Sequence, residues 1–226
     1  VKRFVYVAVT VCFVVTLWAV PGFTKQAGEI KDGVYTDTDY QFSLKVPVGW
    51  SAKVKEAKSA LRLAMDQTSA DPPKQFTGDL RDYMQIPTVV VIVDTTSLTV
   101  GQFIDNLLSP KFESKQKSGM LRLLKLISKP HEILKRSEVT FEDASATMIE
   151  ARQPYEMEVS ARGSDRAIVV NDHKYGSMFF TVRDGRVYVI HLICEYQTSS
   201  PIVEVYNAMI GSLKFAPVAE VKDTKE

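Results

Sequence analysis

Ser177-Met-Phe-Phe-Thr-Val-Arg-Asp-Gly-Arg-Val-Tyr-Val-Ile-His-Leu-Ile-Cys-Glu-Tyr196 decides the fold. Two runs rich in β-branched and aromatic residues flank Arg183-Asp184-Gly185-Arg186. Asp-Gly favours a type I′ turn, because both central residues need positive φ. That turn fixes the register: Val182 faces Val187, Phe180 faces Val189 and Met178 faces His191. The second strand is apolar on both sides. Tyr188, Ile190, Leu192 and Cys194 lie on one face, and Val187, Val189 and Ile193 on the other. An antiparallel hairpin with two apolar faces belongs in a sheet covered on both sides.

The covers are legible outward from the hairpin. C-terminal to it, Ile202, Val205, Tyr206, Met209, Ile210 and Leu213 form one helical stripe, with Ser200 as the expected cap and Pro201 in the first turn. N-terminal to it, Thr99 with Gln102 makes a capping box, and Leu98 with Phe103 a hydrophobic staple. Val100, Phe103, Ile104, Leu107 and Leu108 follow helical spacing until Ser109-Pro110. Thr88 to Val93 is a Val/Ile run without alternation, a strand buried on both faces. Phe42, Leu44 and Val46 share one face of a strand that Pro47 ends, and Ser59 to Gln67 offers another. Val139–Phe141 and Thr147–Ala151 read as two short strands. Ser69 to Ile86 reads as a loop, and Met120 to Ile127 fits neither period.

The chain of 226 residues carries 28 basic and 27 acidic residues, a net charge of +1. No global field draws it onto nucleic acid. At its start, Lys2-Arg3 precedes seventeen uncharged residues, Phe4 to Val20, and then Pro21-Gly22. This order describes a secretory signal over residues 1–22, with cleavage after Gly22, Thr24 or Ala27. An uncleaved anchor is the alternative, at the short end of the spanning range. Losing Lys2 and Arg3 takes the basic count from 28 to 26 against 27 acids, a net charge of −1. Cys194 is then the only cysteine, so no internal disulfide holds the core. Residues 23–32 read as a linker, 33–216 as one domain and 217–226 as a charged tail.

Tyr40-Gln-Phe42-Ser-Leu44-Lys-Val46-Pro47-Val-Gly49-Trp50 resembles the opening of the PsbP-like (Mog1/PsbP) family. Asp184-Gly-Arg-Val-Tyr-Val-Ile190 and Tyr206 to Phe215 resemble its closing hairpin and helix. The resemblance spans residues 33–216 and implies an α+β fold, an antiparallel sheet sandwiched between helices. It also implies a protein or membrane-associated partner in the cell envelope, with the export signal pointing to the family's bacterial exported branch.

No catalytic constellation stands out, so an exported, periplasmic or otherwise extracytoplasmic non-enzymatic module without cofactor is expected. The alternative is a small-ligand binder or enzyme whose site is assembled from distant loops such as 69–86. Cys194 and His191 are three apart on a strand, which puts them on opposite faces and out of dyad reach. A buried thiol and a satisfied core histidine are expected there. Asp172-His173 reads as a solvated turn, and Asp37-Thr-Asp39 as a strand-entry turn, since the Gly and Glu of a calcium loop are missing. Gly-x-Ser-x-Gly, His-Glu-x-x-His and a phosphate loop are absent. One charge cluster remains. Lys111, Lys115, Lys117, Arg122, Lys125, Lys129, Lys135 and Arg136 form a local basic excess, and an acidic stretch over 137–158 follows. A solvated surface is the plain reading. Contact with a partner or, weakly, with an anionic membrane is the functional one. Stacking aromatics for nucleic acid are missing.

Overall fold

The computed structural model describes residues 25–68, 86–160 and 167–216. The expected signal, the tail and nearly all of the 69–86 loop lie outside them.

The central hairpin pairs as the turn chemistry requires. β9 (Ala167–Arg183) and β10 (Arg186–Glu195) place Val182 opposite Val187, Phe180 opposite Val189 and Met178 opposite His191. Asp184 has φ 51° and Gly185 φ 68°, the left-handed pair of a type I′ turn. On its other side β10 pairs with β6 (Thr88–Thr95), which pairs with β5 (Leu61–Gln67) and then β4 (Trp50–Val54). Beyond β9 come β8 (Ala144–Ser160) and the edge strand β7 (Glu132–Phe141). These seven strands make one antiparallel sheet in the order β4-β5-β6-β10-β9-β8-β7.

Each face has its own cover. On one lie α1 (Val100–Leu108), α2 (Lys115–Leu123) and the connector after α2. Phe103, Ile104, Leu107, Met120, Leu126 and Ile127 are buried there against Ile92, Val187, Val189, Met178 and Phe180. The α1 capping box forms, with Gln102 N–H donating to Thr99 Oγ1 and Thr99 N–H to Gln102 Oε1. On the other face lie α3 (Ser199–Ile210) and a small antiparallel sheet of β1 (Gly28–Lys31), β2 (Val34–Asp37), β3 (Phe42–Lys45) and β11 (Lys214–Phe215). Tyr35, Phe42, Leu44, Tyr206, Met209 and Leu213 bury against Tyr188, Ile190, Leu192 and Cys194. Tyr206 Oη joins this layer to the sheet. It accepts from the Phe179 N–H (3.1 Å) and donates to the Ile190 carbonyl (2.6 Å). The fold is α+β, an antiparallel sheet between helices.

Several expectations are corrected. Residues 23–32 are not all linker, because Gly28–Lys31 form β1 and Ala27 is buried, its N–H on the Lys55 carbonyl. The short strands expected at 139–141 and 147–151 are parts of β7 and β8. Asp172-His173 is not a turn but lies in β9, opposite Tyr155 and Pro154. The last helix begins at Ser199 rather than after Ser200, its preceding Thr198 makes no side-chain capping hydrogen bond, and Pro201 is its third residue.

Candidate functional site

The basic stretch folds into α2 and its flanks. Ser114 accepts from the Lys117 N–H and starts the helix (3.0 Å). At 100° per residue, Lys117, Met120, Leu121 and Leu124 share the sheet-facing arc, while Lys115, Ser118 and Arg122 share the opposite one. Burial follows that division. Lys117 is only 8% exposed, and its ammonium donates to the carbonyls of Phe112 (2.7 Å) and Ser109. Its stem covers apolar surface while its charge caps the α1–α2 connection. It is therefore withdrawn from the surface set.

Two more of the eight cations are engaged. Arg136 on β7 pairs with Asp105 of α1 at 2.7 Å, and Lys135 lies 4.0 Å from Glu150 on β8. The remaining five, Lys111, Lys115, Arg122, Lys125 and Lys129, are exposed and form no ion pair among the described residues. Glu113 is the only acid among them in the segment. Phe112 adds an exposed apolar ring beside them. Five of the eight residues are thus exposed and unpaired among the described residues, and three are engaged within the fold.

A second feature was not legible in the sequence. Between the start of α1 and the β7–β8 hairpin runs a groove of about 700 Å³. Glu138, Thr140, Ser145 and Thr147 floor it, and Thr99 to Gly101 wall it. The two sides are about forty residues apart in sequence, with unremarkable Ser and Thr on both, so no motif signals it.

The other candidates settle as structure. Cys194 and His191 lie on opposite faces, Cys194 toward α3 and His191 toward the α2 connector. Burial pushes the Cys194 thiol up to about 12, so no thiolate forms near neutral pH. His191 is fully buried, and neither ring nitrogen has a hydrogen-bond partner among the described residues. The expectation of a satisfied histidine is corrected. Burial alone pushes it down to about 3.

Asp37 closes β2 as the hub of a buried network. It accepts from Tyr35 Oη (2.8 Å), Arg62 Nε (2.7 Å) and the N–H groups of Asp39 (3.0 Å) and Tyr40 (2.9 Å). Arg62 is completely buried and also reaches Asp39 at 2.8 Å. Its hydrogen bonds with Asp37 and Asp39 outweigh the opposing effect of burial and hold its pKa above the usual arginine range. The hydrogen bond from Lys25, then that from Arg62, lowers the Asp39 pKa. The Asp37 carboxylate is thus fully committed to protein donors. Among the described residues no cluster of His, Cys, Asp and Glu could hold a metal, and no helix is long and apolar enough to cross a membrane.

The molecule is thus an α+β protein with a doubly covered antiparallel sheet, five exposed cations between residues 111 and 129 and a polar groove. No protein-family model and no curated protein matches its sequence. Solved structures do match. PsbP of the cyanobacterium Synechocystis (CyanoP) is similar at 13% identity and a TM-score of 0.45, over 84% of this chain and 96% of that one. LpqN, involved in cell envelope biogenesis of Mycobacterium tuberculosis, is similar at 16% identity and a TM-score of 0.45, over 78% and 83%. The Ran-binding protein Mog1p of Saccharomyces cerevisiae is similar at 9% identity and a TM-score of 0.44, over 83% and 96%. PsbP and Mog1 are the namesakes of the family that the sequence resembles.

Proposed function

We propose that this chain is an exported, non-enzymatic PsbP-like module that docks on an acidic surface of a protein complex in the cell envelope. The observation that carries the reading is the free basic face of Lys111, Lys115, Arg122, Lys125 and Lys129. Cations paired within the fold, as Arg136 is, are spent on it, whereas these five keep their field for a partner. Such a face steers encounter and weakens with salt. Export rests on the Phe4–Val20 run. Cleavage after Gly22 or Thr24 leaves intact the Lys25–Asp39 ion pair and the buried Ala27, whereas cleavage after Ala27 would remove both.

The test is capture from solubilised envelopes at low and high salt. The wild type is compared with a variant carrying Lys111→Glu, Lys115→Glu, Arg122→Glu, Lys125→Glu and Lys129→Glu. The variant should keep its circular dichroism and thermal midpoint, because all five positions are exposed, and should lose a partner that wild type retains at low salt. Undiminished capture by a folded variant refutes the docking face. Cosedimentation with anionic vesicles but capture of no protein would assign the face to lipid instead. N-terminal sequencing of the envelope protein should begin between Phe23 and Lys25; a start at Val1 or Lys2 in a membrane pellet favours the anchor.

A further inference from the structure

The groove between α1 and the β7–β8 hairpin is independent of the basic face and carries an inference of its own. Its floor is the outer part of the sheet face that α1 covers. Glu138 pairs with Thr147 across β7 and β8, and Thr140 with Ser145. Arg136, two residues from Glu138 on the same strand face, is held by Asp105 of α1. Among the described residues no lysine or arginine lines the groove.

Thr147 is only 2% exposed, lines the groove and makes no side-chain hydrogen bond among the described residues. Its hydroxyl is not among the fully enclosed polar atoms of the described residues, so the little surface that the side chain keeps opens on the groove.

The wall supplies the opposite polarity. Gln102 N–H is satisfied by Thr99 Oγ1 and Phe103 N–H by the Thr99 carbonyl. The first two amides of α1, those of Val100 and Gly101, have no partner among the described residues. They carry the positive end of the helix dipole. A Cβ built on Gly101 meets nothing within 4 Å, so a ligand can come against the backbone there.

Among the described residues the groove therefore has two free N–H donors on one side, a carboxylate without an ion pair on the other, and hydroxyls between. A phosphate would find no cation and would meet Glu138. A divalent ion would find one carboxylate. An apolar ligand would strand the hydroxyls. Only a molecule with both charges uses both ends. At about 700 Å³ the space lies within the usual range for small-ligand sites and leaves room for more than a single small amino acid.

We propose that this groove binds a small zwitterion of amino-acid or dipeptide size. The ligand carboxylate sits on the Val100 and Gly101 amides, its ammonium on Glu138, and the hydroxyls of Thr99 and Thr147 bridge the two. The test is calorimetry and ligand-observed NMR on the protein recovered from the cell envelope. The probes are L-alanyl-L-alanine, the single amino acids and their N-acetylated and C-amidated forms. At least one free zwitterion should bind, and blocking either end should weaken it by about tenfold or more, the loss expected of one charge-assisted contact. Glu138→Gln should weaken it similarly. Gly101→Ala is the decisive variant. Its methyl has open space and improves helix propensity, so the thermal midpoint should hold or rise while binding is lost. Binding that survives Gly101→Ala, binding indifferent to blocked ends, or silence from every free zwitterion at millimolar concentration would each overturn the assignment. Failure here leaves the basic-face reading untouched, since that face is tested by charge reversal on α2 and its flanks.

Discussion

His191 should make the protein acid-sensitive by an amount its surroundings define. The ring lies between Val90 of β6 and Met178 of β9 in register. A Cβ built on Gly176 would stand 3.3 Å from His191 Nε2 and 2.8 Å from Leu126 Cδ1, so Leu126 of the connector closes over that corner of the core. No charged side chain shifts the imidazole; burial alone holds its pKa at about 3, against 6.5 for an exposed histidine. Between these values the unfolded chain binds the proton and the folded chain does not. Stability from this group is therefore complete above 6.5 and falls as pH drops toward 3. The linkage relation gives a loss of about 2 kcal/mol at pH 5 and about 3 kcal/mol at pH 4, relative to pH 8. The assay is urea denaturation at a series of pH values for wild type and His191→Leu. Leucine is apolar, of similar size and has no proton to exchange, and it removes two unpaired ring nitrogens from the core. At pH 8 the variant should match or exceed wild type, since an unsatisfied buried group costs about 1–3 kcal/mol. Its advantage should then widen by about 2 kcal/mol at pH 5. Every other group is common to both proteins, so its contribution cancels in the difference. Parallel pH curves would refute the reasoning, because they would mean that the imidazole reaches water or a partner in the native state.

Three further outcomes follow from other parts of the fold. Gly185→Val places a β-branched residue at φ 68° and should cost more than about 1 kcal/mol, read as a lowered thermal midpoint. Arg62→Met leaves the fully buried Asp37 without its guanidinium and should cost about 3–5 kcal/mol; a loss below about 1 kcal/mol in chemical denaturation would show that the buried pair does not hold the fold. Cys194, buried with its thiol pushed up to about 12, should resist thiol reagents in the native protein and react on denaturation, and Cys194→Ser should leave the capture of any envelope partner intact.

The hairpin, α1 and the doubly buried β6 were legible because local chemistry and tertiary position agree there. Asp184-Gly185 sets a register that the apolar alternation also demands, and the Thr99–Gln102 box marks the point where helical spacing begins. Misreadings arose where one residue's local signal outweighed its setting. Asp172-His173 looks like a break, yet it faces Tyr155 and Pro154 in the β8–β9 pair beyond the last residues that β7 and β10 cover, Arg152 and Lys174. There each strand has a neighbour on one side only, and a proline is tolerated. Lys117 hid α2 by placing a charge on its buried arc, a choice that makes sense only once the carbonyls of Ser109 and Phe112 are seen above it. Arg62 was silent for the same reason, since its partner Asp37 is 25 residues away and no period registers a buried ion pair.

Function was harder to read than fold because a sequence counts charges and hydroxyls without saying which are already used. Lys117 and Arg136 look like their neighbours along the chain, but one is bonded to backbone carbonyls and the other to Asp105. Subtracting them and Lys135 turns a diffuse basic stretch into five cations on one exposed segment. The same subtraction works in reverse at the groove. Thr147 is an ordinary strand threonine until its burial and missing partner are set beside two unpaired amides of α1. Free valence is a property of the folded chain. It depends on contacts between β7, β8 and α1 that the topology brings together from positions 97 to 147. A partner or ligand gains most by binding where such polar groups are still unspent.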